Sequence, residues 1–353
     1  MPRVGCDRVA GLAMPLVVSA GLPLAVSSMA AAQSDPLDEP FPAVLELAGL
    51  DGTTGFRLDG IDENDQSGWA VASAGDVNGD AVDDLIIGTR LADPGGRPGA
   101  GEMYVVFGRG PGAGGFPSSI QLGSLDGANG FRLEGIDPID RSGRSVASAG
   151  DVNGDGVDDL IINAYRGDPG GRRDAGETYV VFGRDAASGG FPSSIQLDDL
   201  DGTTGFRLDG VDAFDQSGSS VASAGDVNGD GVDDLIIGAL FGDPGGRRDA
   251  GETYVVFGRD AASGGFPSSI QLDDLDGTTG FRLDGVDAGD HSGSSVASAG
   301  DVNGDGVDDL IVGARSGDPG GRRDAGETYV VFGRDAASGG FPSSIQLADL
   351  DGT

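Results

Sequence analysis

Acidic residues recur in this sequence at a fixed spacing, and β-branched apolar residues follow them each time. The stretch DVNGDGVDDLII begins at Asp151, and close copies begin at Asp76, Asp226 and Asp301. Numbered from the first aspartate, positions one, three, five and nine carry side-chain oxygens, and position seven offers a backbone carbonyl. Hard oxygen donors at alternate positions of a tight loop are typical of Ca²⁺ sites. The pattern therefore predicts up to four calcium sites, one in each copy.

The predicted ligands of each loop are the side chains at positions one, three, five and nine and the carbonyl at position seven. They are Asp76, Asn78, Asp80, Val82 and Asp84; Asp151, Asn153, Asp155, Val157 and Asp159; Asp226, Asn228, Asp230, Val232 and Asp234; and Asp301, Asn303, Asp305, Val307 and Asp309. Position six is Ala81 in the first copy and glycine in the others, and a side chain resists the sharp turn there. We therefore expect the first site to be the weakest.

Position eight is also acidic in every copy, and we expect these side chains to point away from the cation into solvent. They are Asp83, Asp158, Asp233 and Asp308.

Two other kinds of loop share this opening. An EF-hand loop needs an acidic residue at position twelve and flanking helices, whereas position twelve here is apolar and the residues around it favour a strand. Ordinary turns also use Asp, Asn and Gly without binding a metal. Turns need only one or two such residues, so the full alternation in four copies favours a calcium loop set in a β-hairpin.

The charge balance limits the possible partners. The chain of 353 residues has 58 acidic residues against 22 basic ones, all of them arginine, and a formal charge of −36. Nucleic acid and anionic membrane would both be repelled by this charge. Hydrophobic residues still make up 38% of the chain, which is enough for a packed core. We expect a folded protein that binds neither nucleic acid nor membrane through its mature part.

The first 32 residues differ from the rest of the chain. Arg3 and Arg8 precede an uncharged run that ends in three alanines at Ala32. This pattern predicts a secretory signal peptide over residues 1–32 and a secreted or cell-surface protein. A retained membrane anchor is the alternative, although Pro15 and Pro23 interrupt the run.

The remaining residues, 33–353, form a tandem array, because the acidic stretches begin 75 residues apart at positions 76, 151, 226 and 301. The units are about residues 56–130, 131–205, 206–280 and 281–353. Each unit contains four short segments of strand character, FRLDG, SSVASAG, DLIIGA and ETYVVFG in the third unit, separated by turn residues. The sequence predicts an all-β propeller of four-stranded antiparallel blades, either a partial propeller or a ring closed by the spare strand at Phe56.

The motifs SVASAGDVNGDGVDDLII and AGETYVVFG resemble the FG-GAP repeat of integrin alpha chains and their bacterial relatives. The resemblance covers residues 41–353 and implies a β-propeller, usually of seven blades, in which calcium loops stiffen the blades and another face binds partners in adhesion. It also implies the calcium ligands named above. Four units are too few for a seven-bladed ring built from one chain.

The sequence offers little for catalysis. The only histidine is His291, and its equivalents in the other units are Gln66, Arg141 and Gln216, so it fits a surface position. We therefore expect no enzymatic activity and no catalytic residue. An extracellular hydrolase or lyase that acts on a polymer, or a purely structural spacer, remains an alternative function.

The units differ mainly in two slots, after the FRLDG strand and after the DLII strand. The variable residues are Asn64, Ile139, Phe214 and Gly289; Trp69, Arg144, Ser219 and Ser294; and Arg90, Leu91, Tyr165, Arg166, Leu240, Phe241, Arg315 and Ser316. Exposed loops with aromatic residues and arginine are typical of binding surfaces. We expect these loops to bind a protein or polysaccharide partner.

Overall fold

The chain folds into β-strands and short 3-10 helices. The computed structural model describes residues 44–110, 112–335, 339–350 and 352, so the predicted signal peptide lies outside the described residues. The described residues from Leu50 onwards belong to one compact unit, and residues 44–49 belong to another. The described part contains no α-helix, and none of its helices is long and apolar enough to cross a membrane.

The strands in chain order are β1 (Arg57–Asp59), β2 (Ala70–Gly75), β3 (Asp84–Thr89), β4 (Glu102–Val106), β5 (Ser119–Gln121), β6 (Gly130–Glu134), β7 (Val146–Gly150), β8 (Asp159–Ala164), β9 (Glu177–Val181), β10 (Ser194–Gln196), β11 (Gly205–Asp209), β12 (Ser217–Gly225), β13 (Asp234–Ala239), β14 (Glu252–Val256), β15 (Ser269–Gln271), β16 (Gly280–Asp284), β17 (Ser292–Gly300), β18 (Asp309–Ala314), β19 (Glu327–Val331) and β20 (Ser344–Gln346). The 3-10 helices are Leu47–Gly49, Pro94–Gly96, Leu122–Ser124, Pro169–Gly171, Ala186–Ser188, Leu197–Asp199, Pro244–Gly246, Ala261–Ser263, Leu272–Asp274, Pro319–Gly321 and Leu347–Asp349.

These strands form separate sheets that are arranged as the blades of a propeller. Blade 1 has the order β2-β3-β4-β6-β10, blade 2 the order β7-β8-β9-β11-β15, blade 3 the order β12-β13-β14-β16-β20, and blade 4 the order β17-β18-β19. The first strands of consecutive blades contact one another. The predicted all-β fold of repeated antiparallel blades is confirmed, and the sheets do not close into a ring, so the described part is a partial propeller.

The sheets do not follow the repeat boundaries. In blade 2, β9 pairs antiparallel with β11, which carries the FRLD segment of the next repeat. Between these two strands the chain first forms β10, which adds a fifth, parallel strand to the edge of blade 1. Each complete blade therefore has five strands rather than the predicted four, and its two outer strands come from later repeats.

The spare N-terminal strand does not complete the last blade. β1 pairs in parallel with β5 in a two-stranded sheet, and blade 4 contains three strands in the described part of the chain. This pairing matches the outer edge of the complete blades, in which a GFRLD strand is followed by an SIQ strand.

A trio of phenylalanines recurs where each fifth strand joins its blade. In blade 2, Phe182 lies against Phe206, with ring centroids 5.8 Å apart, and Phe266 stacks on Phe206 at 4.1 Å. Phe206 is fully buried. The same geometry joins Phe107, Phe131 and Phe191, and also Phe257, Phe281 and Phe341. The trio anchors the segment that crosses from one blade to the next.

Replacing Phe206 with alanine should destabilise the protein by about 3–5 kcal/mol, because it removes a fully buried ring from the core. Phe56→Ala is the matched control, since Phe56 holds the same repeat position, is only partly buried and stacks on one ring, Phe116. Chemical denaturation of both variants measures the difference. Equal losses would contradict the anchoring role.

Candidate functional site

Each acidic loop connects the first strand of a blade to the second. In blade 2 the loop leaves β7 after Gly150 and enters β8 at Asp159, and the two strands pair antiparallel, so the predicted β-hairpin setting is confirmed. Gly150 and Gly156 adopt φ angles of 73° and 89°. Glycine enters this left-handed region without strain, which explains its place in the loop.

The first loop carries the strain that its sequence predicts. Ala81 adopts a φ angle of 68°, while Gly156, Gly231 and Gly306 adopt 89°, 89° and 91° at the same position. A left-handed conformation costs a residue with a Cβ atom about 1–2 kcal/mol. The lower calcium affinity expected from this strain stays a prediction.

Backbone N–H groups of the loop donate hydrogen bonds to the carboxylates at positions one and five. In blade 2, Asp151 accepts hydrogen bonds from the backbone N–H groups of Asp155 and Gly156, at 3.0 and 2.8 Å. Asp155 accepts one from the N–H of Val157 at 3.0 Å. These bonds fold the loop backbone over the side chains of Asp151 and Asp155.

The carboxylate at position nine is buried in every blade. Asp159 is fully buried and accepts hydrogen bonds from the N–H groups of Val152 and Gly183, at 3.1 and 2.8 Å. Burial raises the pKa of Asp159 well above its usual value, and the charges of Asp155 and Asp151 raise it further. The equivalent residues Asp84, Asp234 and Asp309 are also fully buried. Burial likewise raises the pKa of Asp84 to about 7.

The loops do not form a closed metal cage in the described part of the chain, where no three acidic, histidine or cysteine side chains are grouped to hold an ion. The donor set nevertheless fits calcium, because every predicted ligand is an oxygen atom. A buried carboxylate also needs a compensating charge or a proton. None of the loop carboxylates forms an ion pair among the described residues, as the ion pairs there involve other acids.

Three of the four aspartates at position eight differ from the expectation that they are solvated, whereas Asp83 is exposed as expected. Asp158 accepts a hydrogen bond from the backbone N–H of Asp76 in the preceding blade, at 2.8 Å. Asp233 and Asp308 make the same contact with Asp151 and Asp226. Their occurrence in every repeat was the only sequence signal for this role, because the partner lies one blade away.

The structure brings several variable residues together. Arg90 lies over the ring of Trp69 at 3.5 Å, and Arg144 lies over Tyr165 at 4.6 Å. One contact joins neighbouring blades, since the rings of Phe241 and His291 lie edge to face with centroids 5.4 Å apart, and within blade 4 His291 Nδ1 lies 3.3 Å from the Ser316 hydroxyl. The two variable slots therefore form one surface, which we call the variable face.

Two residues of the variable face combine exposure with backbone strain. Ile139 and Phe214 are 56% and 54% exposed, and both adopt a φ angle of 77°. Their backbone N–H groups donate to the carbonyls of Pro98 and Arg173, at 2.9 Å each, which holds the conformation. The equivalent positions carry Asn64 and Gly289, the types that favour this conformation. Isoleucine and phenylalanine therefore hold a conformation that they do not favour, and Arg173 lies over the Phe214 ring at 5.6 Å.

The described part is thus an open propeller of repeated blades, each with an acidic hairpin loop. The FG-GAP repeat matches residues 67–106, 142–181, 217–256 and 292–331. Each match spans the first three strands of a blade, with the acidic loop between the first two.

Curated relatives cover larger parts of the chain. Integrin alpha-5 of Xenopus laevis is 30% identical over 251 residues, which are 70% of this chain and 20% of the integrin. Integrin alpha-V of Gallus gallus is 29% identical over 251 residues, again 70% and 20%. A phosphatidylinositol-glycan-specific phospholipase D of Bos taurus is 33% identical over 181 residues, which are 51% of this chain and 19% of the enzyme.

The chain is therefore an FG-GAP repeat protein with a propeller of the integrin alpha type. It spans about a fifth of the length of these relatives.

Asparagine in place of Ile139 should keep or raise the stability of the fold, because asparagine adopts the left-handed backbone conformation with less strain than a β-branched residue. We expect a gain of up to about 1 kcal/mol in the free energy of unfolding. Ile136→Asn is the control, since the partly buried Ile136 packs against the core of blades 1 and 2, and it should destabilise. Thermal and chemical unfolding measure both. A loss for Ile139→Asn as large as the control's would show that Ile139 serves the fold.

Proposed function

We propose that this chain is secreted, binds Ca²⁺ in its acidic loops and acts as a binding module of the adhesion type. The observation that carries the calcium assignment is the fully buried carboxylate at position nine of each blade, which has no cationic partner among the described residues. The likeness to integrin alpha chains supports the adhesive role.

In blade 2 the side chains of Asp151, Asn153, Asp155 and Asp159 and the carbonyl of Val157 would hold the cation. The equivalent residues of the other loops would hold three more, and the strained first loop would bind most weakly. Bound calcium would supply the positive charge that these carboxylates lack. A loop fixed by calcium would hold the two strands that it joins in one geometry. The protein would then lose less conformational freedom when it binds a partner, which favours binding.

The variable face is the proposed contact surface for a protein or polysaccharide partner. It carries arginine stacked on aromatic rings, a combination that is enriched at binding hot spots. Ile139 and Phe214 add exposed apolar area at strained positions, and strained residues concentrate at functional sites. A partner that buries these two side chains would explain why they are there.

Export would follow from residues 1–32, which have the basic start, apolar run and small-residue end of a signal peptide. Extracellular calcium modules bind their ion at roughly 10⁻⁴–10⁻³ M, so loops of this kind would be filled outside the cell.

Calorimetric titration of Ca²⁺ into the full chain should give saturation near four ions, one for each loop. Asp155→Ala together with Asp159→Ala should lower the number by one, because both changes remove ligands of one loop. The matched control is Asp198→Ala with Asp199→Ala, which removes the same charge at exposed positions outside the loops. No heat at millimolar calcium would contradict the calcium assignment.

The likeness to a phospholipase D favours a hydrolase as the second candidate function. His291 and Ser316 supply a base and a hydroxyl 3.3 Å apart for such chemistry. The test is release of a glycosylphosphatidylinositol-anchored protein from vesicles. Release that is lost in His291→Ala would establish an enzyme, whereas the binding module predicts no release.

A further inference from the structure

The acidic loops lie at the joints between blades, and the position-eight aspartates form part of each joint. Asp158 makes two hydrogen bonds to Asp76 of the preceding blade: its Oδ2 accepts from the Asp76 N–H at 2.8 Å, and its own N–H donates to the Asp76 carbonyl at 3.3 Å. The same pair of bonds joins Asp233 to Asp151, at 2.9 and 3.3 Å. Asp308 and Asp226 repeat it at 3.1 Å for both bonds.

A second contact from the following blade holds the next residue of the loop. The N–H of Arg184 donates to the carbonyl of Val77 at 2.9 Å, and Arg259 and Arg334 do the same for Val152 and Val227, also at 2.9 Å. The fit leaves little space. A Cβ atom on Gly75 would lie 2.2 Å from a carboxylate oxygen of Asp158, so a larger residue there would displace this side chain.

Burial follows these contacts. Val77, Val152 and Val227, at position two of the first three loops, are fully buried. Val302, at position two of the fourth loop, is 57% exposed, and no following blade covers it in the described part of the chain. The following blade is therefore what encloses each of the first three loops.

The dipeptide Asp158-Asp159 serves two loops at once. Asp159 is the buried position-nine residue of the second loop, and the preceding side chain, Asp158, holds the backbone of Asp76, the first residue of the first loop. Asp233-Asp234 and Asp308-Asp309 connect the later loops in the same way.

We propose that Asp158, Asp233 and Asp308 are positioning residues that couple the calcium loops of consecutive blades, so that calcium binding along the propeller is cooperative. The inference rests on the calcium binding proposed above. A cation in the second loop would fix Asp159 and with it the neighbouring Asp158, which in turn holds Asp76 in place. The first loop then has less conformational freedom to lose when it binds its own ion. By linkage, an ion in the first loop favours the second to the same extent.

Asp83 provides a control within the chain. It occupies position eight of the first loop, yet its side chain makes no hydrogen bond or ion pair with any described residue. The three coupled positions and Asp83 thus share sequence context and charge, and they differ in the contact across the joint.

The experiment is calcium calorimetry on the full chain with Asp158→Ala, Asp233→Ala and Asp308→Ala combined. The wild type should bind cooperatively, with a Hill coefficient above one. The triple variant should still bind four ions, with a Hill coefficient near one and an affinity that is lower by about fivefold or more. The control combines Asp83→Ala with Asp198→Ala and Asp199→Ala, which removes equal charge and should leave the cooperativity intact.

Amide hydrogen exchange gives an independent readout. Calcium should slow amide exchange at Asp76, Asp151 and Asp226 in the wild type. In the triple variant the same amides should be slowed less, even when calcium fills the loops. If the triple variant unfolds, Asp158→Ala alone makes the same comparison for the first two loops. Replacement by asparagine, which retains an oxygen acceptor, should preserve most of the coupling.

Four ions bound without cooperativity by the wild type would overturn the coupling alone, as would a triple variant that retains wild-type cooperativity. No calcium heat in any variant would overturn the calcium sites and the coupling together.

Discussion

A buried carboxylate at the entrance of the second strand organises every blade. In blade 2, Asp159 accepts hydrogen bonds from the backbone N–H of Val152 in the acidic loop and from that of Gly183 after the third strand. One side chain thus connects the loop, the second strand and the turn after the third. Such a group cannot stay charged in a buried site without compensation. The calcium ion proposed for each loop would supply that compensation.

The blades are held to one another by crossing segments as well as by their inner strands. Strands β6 and β10 come from the second repeat but form the outer edge of blade 1, and the phenylalanine trios pack where such segments cross. The following blade also makes hydrogen bonds to each of the first three acidic loops. The joints between blades therefore include both the packed interior and the acidic loops.

Much of this architecture follows from the sequence. The 75-residue period, the strand segments and the hairpin loop are all local patterns, and each is found where it was predicted. The exchange of outer strands was not predictable, because Ser194–Gln196 is a three-residue strand among Gly, Pro and Ser, and its partner lies about sixty residues earlier. The role of Asp158 was missed for the same reason, since its partner Asp76 belongs to another blade. The strain at Ile139 depends on backbone angles that isoleucine does not favour, and only Asn64 and Gly289 at the equivalent positions hint at it.

Anomalous X-ray diffraction from crystals grown with calcium tests the central claim most directly. The account predicts an anomalous peak in each acidic loop, surrounded in blade 2 by oxygens of Asp151, Asn153, Asp155 and Asp159 and the carbonyl of Val157. Crystals that show no peak at millimolar calcium, with the carboxylates bonded only to backbone amides, would contradict it.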